Sequence, residues 1–256
     1  MPDRKINRKL TGTTAEESDR LPSVATRQAE GWPVMILLEA MDGHQLDAYR
    51  AQPDGNVRAG LVIIQEIFGV NSHIRNIADR FAAQGFDTLA PALFDRAERG
   101  IELGYQPDDV DRGRAIRAQI STDAALLDLD ASIRTLATTG RPVAVVGYCW
   151  GGSLAWAMAT RLQGLSCAVS YYGGQVAEMA DEQPHCPVML HFGETDHGIP
   201  MEQVETVRAK HSALPLFTYP AGHGFGCDQR VSFHPPSAKL AFERTVEFLN
   251  AHTGGG

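Results

Sequence analysis

The chain has 256 residues, 43% of them hydrophobic, and a formal net charge of −8 at neutral pH, from 23 Lys and Arg against 31 Asp and Glu. That length supports one α/β domain with a full apolar core, and the acidic balance argues against nucleic acid as partner, because phosphate binding needs clustered cations. A small molecule is the expected ligand.

In chain order, residues 1–30 lack an apolar signal core, and Glu16, Glu17 and Asp19 suit an organellar leader poorly. They read as a flexible extension ahead of a single domain over 31–256. No apolar run reaches the roughly 18 to 20 residues that cross a bilayer; PVMILLEAM is soon broken by Asp42-Gly43. The runs PVMILLEA and QLDAYRAQ flank that Asp-Gly pair and predict an antiparallel hairpin. GLVIIQEIFGV then reads as a strand, SHIRNIADRFAAQGF as a helix with Ile74, Ile77, Ala78 and Phe81 on one face, and DTLAPALF as a strand. Strand, helix, strand in that order implies a right-handed crossover and parallel pairing.

The polar stretch Asp95 to Arg114, with Gly100, Gly104 and Pro107, interrupts the rhythm and is expected to form a rim or cap. A helix is predicted over Thr122 to Ala137. Next come PVAVVGYC, a helix from Gly152 toward Leu162, the strands CAVSYYGG and PVMLHFGE, a helix in MEQVETVRAKHSA, the strand PLFTYPAG, and a last helix in SAKLAFERTVEFLNAH. The sum is α/β: a mostly parallel sheet with helices on both faces. Cys149, Cys167, Cys186 and Cys227 show no CxxC spacing and the histidines no HxxxH spacing, so neither a metal, an organic cofactor nor a disulfide framework is expected. A reducing cytoplasm is the expected location.

Chemistry concentrates at strand ends. Gly147-Tyr148-Cys149-Trp150-Gly151 is a GxCxG turn between a buried strand and a helix, the setting of a nucleophile elbow. There the helix dipole favours a thiolate, and the Trp150 N–H can hold an oxyanion. Asp196 follows one later strand and His223 the next, giving the order nucleophile, acid, histidine. His223 can take the thiol proton and return it to a leaving oxygen, while Asp196 orients the imidazole. Glu194, His197 and His191 are the competing candidates near Asp196. Taken alone, Cys149 also fits a small buried hydrophobe, as free cysteines often are.

With QEIFGVN at 65–71, GYCWGG at 147–152, YYGG at 171–174, DHGIP at 196–200 and AGHGF at 221–225, the chain resembles the dienelactone hydrolase (carboxymethylenebutenolidase-like) family from about Trp32 to the last helix. The resemblance implies the α/β-hydrolase fold and a triad of Cys149, Asp196 and His223. It adds Glu66, which in that family contacts the resting cysteine and takes the thiol proton when substrate shifts it. It also adds the Ile67 N–H as partner of Trp150 in the oxyanion hole, and Arg96 as the binder of a substrate carboxylate. The chain departs from the family where a second arginine follows the catalytic histidine by four residues: Cys227 stands there, and Arg230 is the nearest replacement.

The leading expectation is a hydrolase of a small lactone or activated ester, acting through a cysteinyl acyl-enzyme. Alternatives are a general carboxylesterase or thioesterase-like hydrolase, and a non-catalytic thiol-based binding or redox protein.

Overall fold

A computed structural model describes residues 26–27 and 34–254. The extension expected over 1–30 therefore lies, apart from Thr26–Arg27, outside the described residues. Among the described residues nine strands form one sheet, β1 (Thr26–Arg27), β2 (Val34–Glu39), β3 (Gln45–Ala51), β4 (Ala59–Ile64), β5 (Phe86–Pro91), β6 (Val143–Tyr148), β7 (Leu165–Tyr171), β8 (Val188–Gly193) and β9 (Leu216–Tyr219). Their order is β1-β2-β3-β5-β4-β6-β7-β8-β9.

The first three strands and β5 pair antiparallel, and everything from β5 to β9 is parallel. The expected hairpin is β2 with β3, Glu39 opposite Gln45. Every residue of β4, β5, β6 and β8 is buried, as strands covered on both faces must be, which is why they read as unbroken apolar runs.

Six helices dress the sheet: α1 (Ser72–Ala82), α2 (Pro107–Arg117), α3 (Thr122–Ala137), α4 (Trp150–Arg161), α5 (Met201–Lys210) and α6 (Pro235–His252). Phe81 of α1 meets Phe242 of α6 with ring centroids 4.9 Å apart, so these two share one layer, while α3 and α4 pack against each other. Asn71 caps α1 through Oδ1 to the Ile74 N–H, and Ser121 caps α3 at the Ala124 N–H.

The stretch expected to be an irregular rim is more regular than its composition suggests. A 3-10 turn occupies Leu93–Arg96, and α2 follows, with Pro107 in its first turn and Asp109 Oδ2 accepting the Gln106 N–H at 3.2 Å. Only Gly113 and Ile116 of α2 are buried, so apolar periodicity could not have announced it. No described helix is long and apolar enough to cross a membrane.

Candidate active site

Strand β6 ends at Tyr148 and α4 begins at Trp150, leaving Cys149 alone to make the turn. Its backbone sits at φ 56°, ψ −114°, a region that costs a non-glycine residue about 1–3 kcal/mol and persists only when its surroundings enforce it. The enforcement is visible. The Cys149 N–H donates to the Tyr171 carbonyl at 3.0 Å, and its carbonyl accepts from the Ser153 N–H at 3.2 Å. A Cβ on Gly147 would lie 1.9 Å from the Gly151 carbonyl oxygen, and one on Gly151 2.5 Å from that of Ile64, so the GxCxG pattern is required by contact. The turn leaves the thiol partly exposed at the N-terminus of α4.

The loops after β8 and β9 bring Asp196 and His223 together. His223 Nδ1 lies 2.7 Å from Asp196 Oδ2, while Asp196 Oδ1 accepts the Gly198 N–H at 2.8 Å. Both oxygens of this buried carboxylate are thereby engaged, fixing the imidazole with Nδ1–H toward Asp196 and its other nitrogen free for Cys149. Burial alone disfavours the imidazolium. The negative charge of Cys149 and hydrogen bonds to Asp196 and Cys149 outweigh it and raise His223 to about 10.

The competing residues have other settings. His191 is fully buried between the Tyr219 hydroxyl and Thr245 Oγ1, and burial, reinforced by Arg244, lowers it to about 3. It is a neutral core residue. Glu194 and His197 are exposed. Burial pushes the other thiols up, Cys167 and Cys227 to about 12 and Cys186 to about 11, leaving them as poor nucleophiles.

A cavity of about 410 Å³ joins the parts. Its wall includes Ile67, Trp150, Cys149 and His223, together with Arg114, Arg117 and Arg230. Among the described residues, the N–H groups of Ile67 and Trp150 have no hydrogen-bond partner. Helix α2 presses on the loop that carries Ile67: a Cβ on Gly113 would lie 2.0 Å from the Ile67 carbonyl oxygen. Among the described residues no Asp or Glu lines this cavity, so an acidic protein presents three arginines there.

Glu66 and Arg96 differ from expectation in opposite ways. Glu66 is 1% exposed and belongs to the site's supporting layer. Its Oε1 accepts from Arg230 Nη1 at 3.1 Å, and among the described residues no hydrogen bond joins it to Cys149. The resting contact implied by the family resemblance is replaced by an ion pair. Arg96, expected to grip substrate, is absent from the cavity wall. Its Nε and Nη2 are held by Asp128 at 2.7 and 2.8 Å, and its Nη1 by Asp42 at 2.7 Å; two carboxylates saturate the guanidinium. Arg230, three residues beyond Cys227, lines the cavity. Sequence reasoning missed Arg114 and Arg117 because it missed α2; Pro107-Asp108-Asp109, a proline and two acids in a first turn, was the available signal.

Comparison with known proteins places the chain among its relatives. The profile of the Dienelactone hydrolase family matches residues 46–253. Carboxymethylenebutenolidase 1 of Cupriavidus pinatubonensis is 31% identical over 224 residues, covering 84% of this chain and 95% of that protein. A crystal structure from Klebsiella pneumoniae subsp. pneumoniae, 29% identical, superposes with a TM-score of 0.73 over 83% of this chain and 97% of that one. A dienelactone hydrolase-like promiscuous phosphotriesterase from metagenomic libraries shares the fold at 18% identity, with a TM-score of 0.68 over 85% and 98% of the two chains. The chain belongs to the dienelactone hydrolase family and is a hydrolase of the ester- and lactone-cleaving type.

Proposed function

We propose that the protein hydrolyses a small, carboxylate-bearing lactone or activated ester through a cysteinyl thioester. The observation that carries this reading is the convergence on one cavity of a strained Cys149, the His223–Asp196 pair at 2.7 Å and two N–H groups without partners among the described residues.

In this mechanism His223 accepts the Cys149 proton, and Asp196 stabilises the imidazolium. The sulfur attacks the carbonyl carbon, and the developing oxyanion is met by the N–H groups of Ile67 and Trp150. Such donors are worth about 10²–10³ in rate because they are aimed before charge develops. Collapse breaks the acyl C–O bond, and the His223 proton passes to the leaving oxygen. Water, deprotonated by His223, then cleaves the thioester and frees Cys149. Thiol nucleophiles suit good leaving groups such as the enolate of an enol lactone.

The substrate's carboxylate is assigned to Arg230, with Arg114 and Arg117 along the same wall. A guanidinium binds a carboxylate through two parallel donors. A substrate carboxylate arriving at Arg230 competes with Glu66 for that guanidinium, so Glu66 must release Arg230 for the substrate to bind. The carboxylate binder is thus Arg230 in place of Arg96.

Replacing each cysteine by alanine tests the proposal. Cys149→Ala is expected to abolish turnover of lactones and aryl esters, while Cys167→Ala, Cys186→Ala and Cys227→Ala retain it. Turnover by Cys149→Ala near the parent rate would refute it.

A further inference from the structure

Three buried groups from distant parts of the chain converge beside the cavity: Glu66 on the loop after β4, His73 in the first turn of α1, and Cys227 between β9 and α6. They are 1%, 2% and 0% exposed, and one donor atom from each lies within 4.8 Å of the others. Among the described residues, Glu66 Oε2 and His73 Nε2 are buried without any hydrogen-bond partner, and so is the hydroxyl of Tyr172, which lies in the field of Glu66 and Cys227. A buried polar atom left unsatisfied costs about 1–3 kcal/mol, so several sharing one spot require something between them.

The state of His73 says what kind of partner fits. Its Nδ1 is 3.3 Å from Asp228 Oδ1, so Nδ1 carries the proton and donates it to the carboxylate. Nε2 is left with a lone pair pointing inward. This is the carboxylate–histidine arrangement that orients a metal-binding imidazole. Carboxylate oxygen, neutral imidazole and a sulfur all offer electron pairs, and together they make the mixed donor set that zinc accepts. The sulfur is a weak hydrogen-bond partner for water but a strong ligand once deprotonated.

We propose that Glu66 Oε2, His73 Nε2 and Cys227 Sγ form a binding site for a zinc-class divalent cation, with water or the Tyr172 hydroxyl in the fourth position. Bonds of about 2.0–2.3 Å to a tetrahedral ion separate donors by roughly 3.3–3.8 Å, so groups already within 4.8 Å need draw together by only about an ångström. On binding, the Cys227 S–H bond breaks, the sulfur–metal bond forms and the proton leaves to solvent; nothing is oxidised. The Glu66 carboxylate and Cys227 thiolate balance the ion's charge, and Arg230 keeps its bond to Glu66 Oε1. Asp228, with its side chain 60% exposed, lies on the approach, since it and Gly226 line a separate cavity of about 720 Å³ that also involves α1 and α6.

The proposed hydrolysis needs no metal, so the site is regulatory. An ion on Oε2 immobilises Glu66 and restrains the loop that carries His223. That consequence rests on the role proposed for Glu66; the binding itself does not.

The test uses metal-free full-length protein carrying Cys149→Ala, which removes the competing triad thiol. Calorimetry with Zn²⁺ is expected to show one ion per chain. Titration with Co²⁺ is expected to give a thiolate-to-cobalt charge-transfer band that disappears when Cys227→Ser is added. Asp228→Ala, a surface change that leaves all three ligands in place, is expected to weaken binding about 10- to 100-fold. Absence of stoichiometric binding at micromolar Zn²⁺, or binding indifferent to both Cys227→Ser and Asp228→Ala, would overturn the site and assign the orphaned atoms to a trapped water. In enzyme with Cys149 intact, Zn²⁺ inhibition that Asp228→Ala relieves supports the regulatory role. If binding behaves as expected without inhibition, the site stands and the role of Glu66 falls.

Discussion

Gly113→Ala separates what α2 does for stability from what it does for catalysis. The added methyl would lie 2.0 Å from the Ile67 carbonyl oxygen, whereas carbon and oxygen come to rest at about 3.3–3.6 Å. Helix α2 or the Ile67 loop must therefore yield by more than an ångström. Two energies oppose each other. Alanine improves helix propensity by about 1 kcal/mol, while overpacking a close contact costs about 1–3 kcal/mol. The balance is a loss of up to about 2 kcal/mol, which in a chain of this size lowers Tm by several degrees at most. The catalytic effect expected from the proposed mechanism is larger, because the moved carbonyl belongs to the residue whose N–H is proposed to meet the oxyanion. A displacement of about an ångström at a reacting centre can cost on the order of 10²-fold. Steady-state kinetics on an activated aryl ester are expected to show kcat reduced about 10- to 100-fold with KM changed far less, in protein that still unfolds cooperatively. Arg112→Ala, on the exposed side of the same helix, should leave kcat within about twofold. A Gly113→Ala enzyme with raised Tm and unchanged kcat would refute the contact's role and the assignment of Ile67 with it.

Arg96→Ala is expected to damage stability rather than substrate choice. It leaves Asp128, whose side chain is fully buried, with His44 at 3.0 Å as its one side-chain partner among the described residues; removing one member of a buried ion pair typically costs about 3–5 kcal/mol. Denaturant unfolding should show a loss of that order, lessened by His44, and kcat/KM should fall equally for charged and neutral lactones. A loss confined to carboxylate-bearing lactones would return Arg96 to the substrate. His223 is raised to about 10 largely by the charge on Cys149 and by its bond to Asp196. A raised pKa contributes stability that is complete below the unfolded value near 6.5 and lost as pH rises through about 10. In Cys149→Ala the contribution of the thiolate disappears, so the NMR titration of His223 should move toward neutral pH; an unshifted titration would show that the two groups are not coupled.

Most of the sheet is legible in the sequence because its strands are buried on both faces and separated by amphipathic helices. The gathering of Cys149, Asp196 and His223 is equally legible, since they follow the parallel strands β6, β8 and β9 at their carboxyl ends, where geometry follows from topology. The failures share a cause. Arg96 is decided by Asp42 and Asp128, and Glu66 by Arg230, 164 positions away; pairings of such separation leave no local pattern. Helix α2 is hidden because Gly113, a poor helix former, is demanded by the carbonyl it touches. The cluster of Glu66, His73 and Cys227 is invisible for the same reason as the ion pairs, since none of the three has a ligand spacing within its own segment.

The covalent intermediate is tested most directly by intact-protein mass spectrometry of enzyme mixed with an activated ester and quenched in acid within the first turnovers. A single added acyl mass is expected, mapped to Cys149 by peptide fragmentation, absent in Cys149→Ala and longer-lived in His223→Ala. Product released at the full rate with no acyl mass at any quench time, or an acyl group on another residue, would contradict hydrolysis through a Cys149 thioester.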